Sequence, residues 1–140
     1  KGYQVYNSTG NPSGSSLMQR FEYWKAALGI IKHHFWIGVG TGDLEDAFYG
    51  QFSKMHSQLS PQFMFHAHNQ YLAIWVAFGL VGFVIFLVAL FYPLYINHAY
   101  RDYFLAVFYA IILISMFSDD TLETHTGATL FAFFSALILF

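Results

Sequence analysis

The densest run of chemically capable side chains is Phe65-His66-Ala67-His68-Asn69-Gln70-Tyr71, set just before the longest apolar stretch of the chain. An imidazole at such a position can accept a proton near neutral pH. It can equally serve as an interfacial anchor, since polar and aromatic side chains are comfortable where an apolar segment meets water. The residues alone leave both readings open. His33, His34, His56, His66 and His68 raise the question of zinc. His66 and His68 would point the same way on an extended backbone, but the spacing supplies no convincing third ligand, so no metal site is expected. A second polar cluster, Asp119, Asp120 and Glu123, follows an uncharged run of 16 residues. Carboxylates held at membrane depth are costly and usually functional, whereas in an exposed turn they are ordinary. These alternatives also stand side by side. Gly38-Val39-Gly40-Thr41-Gly42-Asp43 looks at first like a phosphate-cradling loop. It follows a helix and lacks both a preceding strand and the Lys-Ser/Thr of a nucleotide loop. A tight backbone path is the expected role, with Asp43 capping the next helix.

Helices must position these groups. Ser16 with Gln19 fits a capping box, and Leu17, Phe21, Trp24, Leu28 and Ile31 follow at helical spacing. The pattern predicts an amphipathic helix over about residues 17–34, with Gln19, Glu22, Lys25 and Lys32 on its polar side. Such a helix packs on its own domain or lies along a membrane surface. Residues 44–67 read as helix running into a loop marked by Pro61. Residues 72–96 form 25 positions without a charge. That is about 37 Å of helix, enough to cross a hydrocarbon core of about 30 Å. Residues 103–118 form a second uncharged run near the lower limit for a span, and residues 127–140 begin a third.

Composition agrees with lipid as the solvent. The chain of 140 residues is 56% hydrophobic and 10% charged, with a mean hydropathy of +0.45. A soluble domain carries about 25% charge, because its surface faces water. All six Lys and Arg and all eight Asp and Glu fall outside the two uncharged runs. The expected fold class is all-α: part of a polytopic membrane protein, with residues 1–70 outside the bilayer and 71–140 largely within it. A net charge of −2 gives no sign of a nucleic-acid partner, and the absence of cysteine excludes disulfides and thiolate metal sites. Lys1-Gly2-Tyr3-Gln4 lacks the apolar core of a signal peptide, and the apolar run from Ala128 to Phe140 stops abruptly. A piece of a longer protein, with its targeting information upstream, is therefore expected. Arg101 lies between the two uncharged runs, which makes that loop cytoplasmic by the positive-inside rule. Residues 1–70 and the acidic turn then face the other side.

One spacing is more specific. His68-Asn69, followed after nine residues by Gly79 and after two more by Gly82, resembles the signature of the bacterial O-antigen ligase and O-antigen polymerase superfamily. Arg20 with Trp24 on the amphipathic helix, and the Gly38, Gly40 and Gly42 turn after it, are similar to that family's periplasmic loop pattern. The resemblance covers residues 17–82. It implies a glycosyltransferase of the bacterial inner membrane that needs no metal or other cofactor. An undecaprenyl-pyrophosphate-linked glycan would pass to the hydroxyl of an acceptor glycan, lipid or protein at the periplasmic face. Within the resemblance Arg20 binds the departing pyrophosphate, as a guanidinium does bidentately, and His68 serves as the base. Arg20 could otherwise be a solvated residue or a partner of Glu22 or Asp43. A further arginine common upstream in the family falls outside this sequence. The rival class is a membrane transporter or sensor whose outer domain binds a ligand.

Overall fold

The computed structural model describes residues 12–60, 67–95 and 101–139. Asn11, Pro61, Phe65, His66 and residues 96–100 lie outside these, and with them the His66 arm of the zinc question. The regular elements among the described residues are helices: α1 (Ser16–His33), α2 (Leu44–Lys54), α3 (Gln70–Tyr95), α4 (Tyr103–Ser118) and α5 (His125–Leu139). Short 3-10 turns at Pro12–Gly14 and Thr121–Glu123 precede α1 and α5. α3 is long and apolar enough to cross a membrane, while α4 is apolar but shorter.

The start of α1 departs from the capping-box expectation. Ser15, in extended conformation, is the N-cap residue and makes no side-chain cap bond. Gln19 Nε2 instead donates to the Ser13 carbonyl at 2.8 Å, and Ser13 Oγ accepts the Ser60 N–H at 3.1 Å. The buried face of α1 also differs from the expected stripe. Glu22, Tyr23, Ala26, Ala27, Ile30 and Ile31 are buried, while Leu17, Phe21 and Leu28 are more than half exposed. Two alanines count little in a pattern of large apolar residues, yet they permit the closest helix approach. Tyr23, Ala26, Ala27, Ile30 and Ile31 join Phe48 and Phe52 of α2, Leu59, Ala67 and Val76 of α3 in one core. A second core joins Leu90 of α3 to Ile112 and Met116 of α4.

α2 stops at Lys54 rather than continuing to residue 67. His56 takes a left-handed φ of 49°, its N–H bonds the Ser53 carbonyl at 3.1 Å, and Ser57 N–H bonds Phe52 O at 3.1 Å. This is a Schellman closure, normally advertised by glycine. Histidine in that place hides the helix end from a sequence reader. Asp43 does occupy the N-cap position of α2, but its side chain makes no cap bond. At α4 the cap is complete: Asp102 Oδ1 accepts from Leu105 N–H at 2.9 Å.

The most consequential feature is a break inside α3. Gly79 has φ 66° and ψ −168°, so the bonds that Leu80 and Val81 N–H would make to Val76 and Ala77 carbonyls are lost. The segment after α1 replaces them. Val39 N–H bonds Val76 O at 2.9 Å and Gly40 N–H bonds Ala77 O at 2.9 Å. In return Leu80 N–H bonds Phe35 O at 2.8 Å and Val81 N–H bonds Trp36 O at 3.3 Å. Two lost helical bonds become four between segments, which is how an apolar helix can be interrupted without orphaned backbone groups.

Candidate functional site

Three elements converge where α3 begins. α1 contributes Arg20, Tyr23 and Trp24. The approach to α3 contributes His68, Asn69 and Gln70. The end of α4 and the turn after it contribute Phe117 to Glu123.

Asn69 is the joint. It is buried; its Oδ1 accepts from Leu72 N–H at 3.1 Å, capping α3, and its Nδ2 donates to the Phe117 carbonyl at 2.9 Å. Gln70, also buried, extends the same connection. Its Oε1 accepts from Leu122 N–H at 2.9 Å and its Nε2 donates to Glu123 Oε1 at 3.1 Å. Both side chains of the Asn-Gln pair are thus spent on fixing the acidic turn against α3. Glu123 is a partner of this brace.

His68 is held in a left-handed conformation, φ 45°, which costs a residue with a Cβ and marks a position fixed by its surroundings. Its ring lies 5.7 Å from the Tyr23 ring. Its Nδ1 is 3.9 Å from Asp119 Oδ1 and 4.0 Å from Asp120 Oδ2. Asp120 is buried, and Asp119 is exposed while accepting the Asp120 N–H at 2.9 Å. The His68 side chain is 35% exposed, so its ring borders both the carboxylates and the surroundings. Burial pushes the Tyr23 phenol above its ordinary range, so it stays protonated beside the imidazole.

The ligand atoms of His68, Asp119 and Asp120 lie within 4.8 Å of one another, so among the described residues these three could hold a divalent cation. This grouping differs from the histidine set read from the sequence. His33, His34 and His56 do not take part in it.

Arg20 lines a groove of about 240 Å³ with Leu17, Phe21, Trp24, Phe117 and Ser118. Trp24 meets Phe117 edge to face at 5.6 Å and Phe21 at 5.9 Å. Apart from Arg20 and Ser118 the residues lining the groove are aliphatic or aromatic. Glu22 is not the partner of Arg20; it bonds Lys25 Nζ at 2.9 Å and Ser57 Oγ at 3.2 Å. One wall of the groove, Phe117-Ser118, runs directly into Asp119-Asp120 beside His68. A cation and an imidazole therefore border adjoining spaces around one turn.

The glycines divide by role. Gly38 and Gly79 belong to the interlock with the broken α3, not to a phosphate cradle. Gly40, at φ 87°, contributes its N–H to that interlock, whereas a Cβ on Gly42 would meet nothing within 4 Å. Gly82 lies on α3 beneath the Phe78 side chain, which a Cβ there would strike. Tyr23, Gln70 and Phe117 were not singled out by the sequence. Gln70 sits inside the polar run and Tyr23 lies three residues from Arg20 on α1, so position offered a hint for those two. Nothing in the sequence distinguishes Phe117.

A helical, membrane-associated chain with its polar groups gathered at one end of a spanning helix defines the class. The sequence matches the O-antigen ligase family over residues 3–87, and the chain belongs to that family. It is also similar to an uncharacterized protein of Haemophilus influenzae, 26% identical over 139 residues, covering 93% of this chain. The chain spans about a third of that relative's length, 35%. No solved structure matches.

Proposed function

We propose that the site transfers a glycan from an undecaprenyl pyrophosphate donor to an acceptor hydroxyl at the periplasmic face of a bacterial inner membrane. The observation that carries this reading is the adjacency of the Arg20 groove to the His68–Asp119–Asp120 group across Phe117-Ser118. Family membership supports glycan transfer of the ligase type, and the geometry suggests how the work is divided.

The donor needs an apolar rest for its prenyl chain and a cation at its pyrophosphate. The groove offers Leu17, Phe21, Trp24 and Phe117 for the first and Arg20 for the second. The acceptor hydroxyl loses its proton to His68 as its oxygen attacks the anomeric carbon. The bond from that carbon to the pyrophosphate oxygen breaks, and the leaving group departs with the electron pair toward Arg20. The proton remains on the imidazole, where Asp119 and Asp120 provide opposite charge to the Nδ1 edge. No step requires a metal. Tyr23 and Asn69 act as positioning residues, one against the ring and one holding Phe117 and the start of α3 together.

The test is genetic and chemical. Loss of the full-length gene should leave lipid-linked glycan unconsumed and remove its product from the cell surface. Restoration by the unaltered gene, but not by Arg20→Ala or His68→Ala, is the expected result. A surface glycan profile identical with and without the gene would exclude the proposal.

A further inference from the structure

We propose that Phe35-Trp36-Ile37 is a membrane wedge, seated in the acyl-chain boundary of the leaflet nearest Gln70, and that it fixes the height of α1 over the bilayer. Tyr92 and Tyr95 mark one end of α3, and Trp75 stands 20 residues before Tyr95. The unbroken helix from Leu80 to Tyr95 rises about 22 Å, and Trp75 stands about one turn beyond the break at Gly79. The aromatic rings at the two ends therefore bracket roughly the thickness of a hydrocarbon core, at whose boundaries they are preferred. On that scale Gly79 lies about 6 Å inside the boundary and Gln70 about 8 Å outside it.

The interlock carries the segment after α1 to the same depth. Phe35 and Trp36 accept hydrogen bonds from Leu80 and Val81, which follow Gly79. Phe35 also packs on Trp75, with ring centroids 5.6 Å apart, and Trp75 Nε1 donates to the Phe35 carbonyl at 3.4 Å. Yet Trp36 is 65% exposed and Ile37 80% exposed. Val81, whose N–H bonds the Trp36 carbonyl, and Phe78 and Ile85 on the same helix are exposed as well. A spanning helix turns such a surface to lipid, and the wedge that is bonded to it shares that environment. Irregular backbone is tolerated there because the broken turn of α3 satisfies it. The occupant is therefore the acyl region of the bilayer.

The consequence is positional. Trp24 packs on Phe117, whose carbonyl is bonded to Asn69, so α1 rises from the wedge toward the level at which α3 begins. Arg20 then stands among the lipid headgroups. The depth assignment does not depend on Arg20 or His68 acting in glycan transfer.

The test uses the full-length protein freed of other cysteines, carrying Trp36→Cys or Ile37→Cys with a nitroxide label. It is reconstituted in phosphatidylethanolamine–phosphatidylglycerol vesicles. Accessibility to oxygen and to a water-soluble nickel chelate is compared with Ile85→Cys as the lipid standard and Ser57→Cys as the aqueous one. High oxygen and low nickel accessibility at both positions, matching Ile85, is expected. Nickel accessibility matching Ser57 overturns the proposal, because the tip is then in water. Exclusion of both reagents also overturns it, since another helix or a second copy then covers the tip. The strongly exposed Ile37 reports even if Trp36→Cys disturbs the fold. Glycan transfer measured on the same samples separates a failure of depth from a failure of the proposed function.

Discussion

Gly38 and Gly79 exclude a side chain from each other. A Cβ on Gly38 would lie 2.5 Å from the Ala77 carbonyl carbon and 2.6 Å from Gly79 N, and a Cβ on Gly79 would strike the Trp36 carbonyl and Ile37 N. Both also hold positive φ, 75° and 66°. The interlock of the loop with broken α3 depends on this mutual absence of side chains, and through it α1 is set beside the site.

The glycines therefore form a graded series. Gly79→Ala and Gly38→Ala should each destabilise the folded protein by more than about 2 kcal/mol, combining backbone strain with a clash that backbone atoms cannot relieve. Gly40→Ala, strained in φ but meeting nothing within 4 Å, should cost about 1 kcal/mol. Gly42→Ala should change stability by less than about 0.5 kcal/mol. The Gly38→Ala/Gly79→Ala double variant should cost clearly less than the sum, because either change alone opens the same contact. Thermal unfolding in detergent measures all five. A uniform effect across the four single variants would mean that the glycines serve chain flexibility and not close approach.

Much of the fold was legible because charge and hydropathy report lipid directly. Tyr103–Ser118 matches its uncharged run at both ends, since Asp102 and Asp119 bound it. α3 begins two residues before the span expected from residue 72, and Gln70 is buried there by bonds to Leu122 and Glu123, which no local pattern foretells. The large apolar residues of α1 point to a different face from the buried one, because alanine carries little weight in a periodicity and much in a packed interface. In the site, His68, Arg20 and the acidic turn were each visible as residue types. Their meeting was not, because it is made by Asn69 reaching the Phe117 carbonyl, a tertiary bond without a sequence signature.

Topology is open to direct labelling. Arg101 makes the loop between α3 and α4 cytoplasmic in the proposed arrangement, and the site then faces the periplasm. A cysteine introduced at Ala99 should react only with reagent admitted to the cytoplasm, and one at Ser57 only with impermeant reagent outside. Reversed labelling would put Arg20 and His68 on the side opposite the proposed acceptor and remove the proposed function with them.

Arg20 tests the donor half of the mechanism. Arg20→Ala should abolish transfer while the protein remains in the membrane at normal abundance, because Arg20 lines the groove and belongs to neither buried core. Arg20→Lys keeps the charge but not the planar fork that grips pyrophosphate oxygens in pairs. It should retain little activity, with the loss expressed at every acceptor concentration. Full activity in the lysine variant would reduce Arg20 to a general positive charge near the membrane surface.

His68 and Asp120 test the acceptor half, and the same experiment separates base catalysis from metal catalysis. A general base is worth on the order of 10² to 10⁴ in rate, so His68→Ala should fall by that factor. Asp120→Asn removes the buried negative charge 4.0 Å from Nδ1 while keeping the side-chain shape. If Asp120 supports the imidazolium, this variant should lose a smaller part of the rate than His68→Ala does. His66→Ala should cost far less, since His66 falls outside the His-Asn-Gly-Gly register. Transfer by the unaltered protein should survive EDTA. If chelation stops the reaction, if added divalent ion restores it, and if Asp119→Asn and Asp120→Asn fail as completely as His68→Ala, then the three side chains are ligands to a cation. The base assignment would then be withdrawn in favour of a metal centre at the same turn.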